Sequence, residues 1–197
     1  MKLCGTRQDG FTIVEVMVAA VLLVVGSMAV FAIVSASTRT SFSAEQSQVA
    51  SNLLQSEVER VRGLSYGEIA LTSMPAAADD PDDPRSRVSG SGFDIDGGSP
   101  TRMAPLVVEG GPQAGTSETI TGARVSPGPE AFTSGDVKGR VFRFIVWQDD
   151  PSCAMPACQG LKRIVIVVAL DNPPAGGRHT YKELQATVGD PAASPAD

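Results

Sequence analysis

The chain has 197 residues and a formal net charge of −6, with 22 Asp and Glu against 16 Lys and Arg. That length fits one domain plus an extension, and the negative balance argues against a basic surface for nucleic acid. One histidine, His179, and three cysteines, Cys4, Cys153 and Cys158, are sparse material for hydrolytic or metal chemistry, so no catalytic residue, cofactor or metal ligand is expected.

The first ten residues, "MKLCGTRQDG", carry Lys2 and Arg7 and no apolar segment of their own. An apolar run follows, "FTIVEVMVAAVLLVVGSMAVFAIV", with a single carboxylate in it, Glu15. From Val16 to Thr38 the chain is uncharged for 23 residues. As a helix this stretch reaches about 34 Å, enough to cross a hydrocarbon core of about 30 Å. Lys2 and Arg7 lie on one side, which predicts a cytoplasmic N-terminus and an exported remainder, in a space where disulfides persist.

The helix is expected to continue past the membrane. Between Phe11 and Ser73 there is no proline, and glycine stands only at Gly26, Gly63 and Gly67. From Phe42 the pattern turns amphipathic. Phe42, Val49, Ala50, Leu53, Leu54, Val58 and Val61 form one stripe at spacings of three and four. Ser43, Glu45, Gln46, Gln48, Ser51, Gln55, Glu57 and Glu59 are assigned to the opposite side. Arg60 and Arg62 suit the negative end of the helix, and Gly63 reads as its C-cap.

The middle, from Met74 to about Gly139, reads as loop with short strands, "RMAPLVVEG" and "SETITGARV" among them. Two strong strand signals follow, "RVFRFIVWQ" (140–148) and "LKRIVIVVAL" (161–170), β-branched and aromatic. "HTYKELQATVG" (179–189) supplies a third. Short links favour an antiparallel meander. Phe142, Phe144 and Val146 alternate with Val141, Ile145 and Trp147, and Arg143 interrupts the second set. The amphipathic helix covers one face of this sheet. The other is left to a loop or a neighbouring subunit, with the long middle segment preferred. The tail "DPAASPAD" (190–197) is expected to be disordered.

"G-F-T-I-V-E-V" before an apolar run resembles the type III signal of type IV prepilins and pseudopilins: a basic leader ending in glycine, then phenylalanine, then glutamate as fifth residue of the mature chain. The resemblance implies cleavage between Gly10 and Phe11 by prepilin peptidase and N-methylation of Phe11. It implies that Glu15 pairs with the N-terminal amine of an adjacent subunit during assembly. The physics agrees. A glycine lets the peptidase approach the backbone closely, and Glu15 lies four residues from Phe11, on the same helix face. A lone acid at the centre of a membrane helix costs about 2.5–3.5 kcal/mol, less near the helix N-terminus, which favours an anion.

"NLLQSEVERVRGLSY" (52–66) looks like the helix end of minor pilins of the pilus-modification type and of some secretion pseudopilins. Major pilins commonly carry a proline in the membrane half of this helix, and this chain has none. In an exported domain, Cys153 and Cys158, with four residues between them in "DDPSCAMPACQG", are expected to form a disulfide. A metal site needs more ligands, and a redox centre prefers C-x-x-C. The acidic stretches "DDPDDP" (79–84) and "FDIDGG" (93–98) raise calcium, but neither matches a complete calcium loop, and both read as turns. His179, Trp147 and Tyr181 read as sheet residues.

The expectation is therefore an α+β, pilin-like chain: leader 1–10, transmembrane helix half 11–38, amphipathic half 39–63, exported β-rich domain 64–189 and tail 190–197. It implies a non-enzymatic minor pilin that primes or modifies a type IV pilus. Its partners are prepilin peptidase, other pilins and an inner-membrane assembly platform. The competing readings are a minor pseudopilin of a type II secretion system or DNA-uptake machine, and a membrane-anchored exported enzyme or binding module.

Overall fold

The computed structural model describes residues 12–97, 103–113, 118–148, 160–171 and 181–190. The chain divides into two compact units, Met1–Glu45 and Gln46–Asp197. One helix, α1, runs from Ile13 to Arg62.

In the first unit α1 is bare. Its large apolar residues from Ile13 to Val34 are exposed, from 49% at Val24 to 81% at Ile13. The helix is long and apolar enough to cross a membrane by length and composition. In the second unit α1 buries a stripe at near-four spacing: Gln46, Ala50, Leu54, Val58 and Val61. Here the structure corrects the sequence reading. Gln46 is 4% exposed, and Glu57 also turns inward, whereas Phe42, assigned to the apolar stripe, is 41% exposed. The helix ends at Arg62 as expected, and Gly63 N–H closes it on Glu59 O at 2.9 Å. Gly63 does so without the left-handed backbone of a glycine C-cap.

Among the described residues seven strands follow: β1 (Val88–Ser89), β2 (Gly92–Asp94), β3 (Met103–Pro105), β4 (Glu130–Ser134), β5 (Val137–Gln148), β6 (Leu161–Leu170) and β7 (Tyr181–Gly189). The main sheet has the order β4-β5-β6-β7, all antiparallel. The expected meander is thus present, with β4 added in front through the hairpin at Gly135 and Asp136. β1, β2 and β3 form a second, small antiparallel sheet. The described part of "SETITGARV", 118–125, forms no strand; Thr119 and Val125 make isolated bridges only.

Side chains alternate between the faces of a strand, and here the register assigns each set a different cover. Arg143, Lys162 and Lys182 share the face that contacts the Ser47–Glu57 stretch of α1 and the loop beyond it. Phe142, Phe144 and Val146 point to the other face, where Phe93 of β2 stacks on Phe144 with ring centroids 4.2 Å apart. The middle segment therefore covers that face, as preferred from sequence. It also lines β5 beyond the end of β4: Val107 N–H donates to Ile145 O at 2.8 Å and Arg143 N–H to Pro127 O at 2.9 Å. Burial on both sides explains why Ile164–Leu170 is apolar without alternation.

Candidate functional site

At its start, α1 is capped by Thr12. The Thr12 hydroxyl oxygen accepts the Glu15 N–H at 3.3 Å, and Thr12 O accepts the Val16 N–H at 3.2 Å. Glu15 stands in the first helical turn, where the positive helix end favours a carboxylate. The T-x-x-E spacing of a capping box was legible here, and Thr12 is a residue the sequence reading left without a role. Gly10, Phe11, Cys153, Cys158, Cys4 and His179 lie outside the described residues.

In the second unit the polar side chains between α1 and the sheet carry the fastening. Arg143 of β5 is 2% exposed. Its Nε donates to Glu57 Oε2 at 2.7 Å. Its Nη1 lies 2.8 Å from Glu130 Oε2 but is misaligned for a hydrogen bond, so that contact is electrostatic. Burial works to raise the Glu57 carboxyl, but hydrogen bonds from Arg143 and Arg60 outweigh it and hold the group below its ordinary range. Lys182 of β7 reaches the same helix, donating to Ser47 O at 3.1 Å and Ser51 Oγ at 3.3 Å.

Lys162, at the start of β6, is likewise 2% exposed. Its Nζ donates to Tyr66 O at 2.7 Å. It lies 4.3 Å from the Tyr66 ring centroid and 5.2 Å from that of Trp147, within cation–π range. Burial pushes the ammonium down to about 8, against the pull of the Asp190 carboxylate. Burial and then the charge of Asp190 push the Tyr66 phenol up to about 12. The Tyr66 hydroxyl donates to Gly160 O at 2.9 Å.

On the opposite face Arg87 pins the small sheet to the large one. It bonds Asp94 O, Ile95 O and Glu183 Oε2 and lies 4.6 Å over the Phe93 ring. The acidic stretches fold as turns. Asp94 Oδ1 accepts the N–H groups of Asp96 and Gly97, Asp80 that of Asp82, and Asp83 that of Arg85. Among the described residues, no group of three or more His, Cys, Asp or Glu is placed to hold a metal ion.

A family model, the prokaryotic N-terminal methylation motif, matches residues 5–31. No curated protein and no solved structure matches the chain. The chain thus carries a prepilin-type methylation signal, and the match supports membership of the type IV pilin and pseudopilin family. A long N-terminal apolar helix with antiparallel sheets is consistent with a pilin-like α+β fold.

Proposed function

We propose that the chain is a structural filament subunit, not an enzyme, incorporated at low copy into a type IV pilus or related filament, where it primes assembly or modifies the filament. The observation that carries this reading is the methylation motif at residues 5–31, leading into a helix whose apolar surface is bare from Ile13 to Val34. Exposed apolar surface of this extent needs a cover. A bilayer supplies it before assembly, and neighbouring helices supply it after. Prepilin peptidase cuts after Gly10 and Phe11 becomes the methylated N-terminus. The protein sits in the inner membrane with its N-terminus cytoplasmic and its C-terminal unit exported, where Cys153 and Cys158 form a disulfide. An assembly platform and other pilins are its partners.

Intact and N-terminal mass spectrometry of protein taken from membranes of its own host tests the processing. The expected species begins at methylated Phe11 and, unreduced, is two hydrogens lighter than the dithiol form. An intact Met1, or cleavage elsewhere, overturns the reading. A deletion strain scored for surface pili, secretion and transformation tests the machine. Loss of piliation is expected, and loss of secretion alone would overturn the pilus role.

A further inference from the structure

Lys162 stands where three parts of the second unit meet. One is the Ser65–Glu68 turn that follows α1. The second is the start of β6, and the third is the end of β7, where Asp190 N–H donates to Gly160 O at 3.2 Å. A lysine is rarely buried to this degree. Its ammonium is held by the Tyr66 carbonyl and two ring faces. These soften the loss of water around a charge without replacing it. Among the described residues, the titratable groups acting on it are Tyr66 from the turn and Asp190 after β7. β5 contributes Trp147, and the cross-strand neighbour on β7 is Val188.

We propose that the Lys162 cage is a proton-sensitive latch: proton uptake by Lys162 loosens the Tyr66 turn and the end of β7, and proton release tightens them. The direction follows from linkage. In an opened state Lys162 regains its ordinary value of 10.5, whereas in the closed cage it titrates near 8. The closed state therefore gains on the open one as pH rises from about 8 towards 10.5, and that gain is absent below about 8. Tyr66 acts against closure only above its ordinary value of 10.0.

Trp147 is the single tryptophan of the chain and lies in the cage, so its fluorescence reads the latch directly. The measurement is acrylamide quenching of Trp147 in the full-length protein in detergent, from pH 6.5 to 10. Quenching is expected to be flat below about pH 8 and to fall above it, to be low and flat in Lys162→Met, and to keep its fall in Tyr66→Phe. In Asp190→Asn the onset of the fall is expected to move to lower pH, because a carboxylate that supports the charge is gone. That variant keeps the test open should Lys162→Met fail to fold. Equal quenching at both ends of the range in the wild type, an undiminished fall in Lys162→Met, or an unmoved onset in Asp190→Asn overturns the proposal.

Discussion

Glu57 on the C-terminal half of α1 and Arg143 on β5 meet at 2.7 Å, and the arginine is 2% exposed. An ion pair so enclosed is held by geometry, because each charge has lost most of its water. Removing Glu57 leaves the buried Arg143 with the Glu130 contact alone. Glu57→Ala is expected to lower the unfolding free energy by about 3 kcal/mol, and the double variant Glu57→Leu with Arg143→Met by less, since no charge is then left buried. Denaturant titration followed by Trp147 fluorescence measures both. A double variant weaker than the single would contradict this account. The pH dependence has a defined sign. The Glu57 carboxyl is held below its ordinary value of 4.5, so its contribution is full above that value and is lost as pH falls through the depressed one.

Gly139 is enclosed within β5. A Cβ there would stand 2.4 Å from Ala169 O and 2.8 Å from Cε1 of the Phe132 ring. The Phe132 ring of the cross-strand pair fills the space a side chain would take. Gly139→Ala is expected to cost about 1–3 kcal/mol through strain in a filled site. Gly135, in the neighbouring turn, has φ +59, and a methyl added there would meet nothing within 4 Å. Gly135→Ala is expected to cost about 1 kcal/mol, from backbone conformation alone. Paired thermal unfolding ranks the two, and a larger loss for Gly135→Ala would refute the steric argument.

Glu15→Ala leaves the Thr12 cap in place, because that bond uses the Glu15 backbone N–H. On the proposed function, the variant is expected to be cleaved and methylated normally but to be depleted from sheared filaments. Immunoblots of membrane and filament fractions measure this. Wild-type amounts in the filament fraction would remove Glu15 from assembly.

What the sequence disclosed was what period and composition encode. The alternation of Phe142, Phe144 and Val146 gave the faces of β5, and the proline-free stretch gave α1 to within a residue at Arg62. The misplacement of Glu57 has a physical cause. Glu57 is a polar residue that faces the core because Arg143 on the sheet pairs with it there, and helical periodicity cannot register a partner 86 residues away. β4 was hidden for a different reason. "EAFTS" is a polar edge strand whose residues stay largely exposed, so it carries no burial signal. Lys162 sat unremarked at the head of an apolar run, since its cage joins its cross-strand neighbour Trp147 to Tyr66, which lies 96 residues away.

The Arg143 clasp has a mechanical consequence. At Arg143, β5 pairs with Ile166 of β6 on one side and takes a hydrogen bond to Pro127 on the other. A tug on α1 at Glu57 therefore enters the sheet at a strand with neighbours on both flanks. Peeling such a strand means breaking two rows of hydrogen bonds together, whereas an outer strand gives way one row at a time. Through Arg143 the load is shared by both flanks of β5, where the Lys182 contact alone would pass it to the outer strand β7.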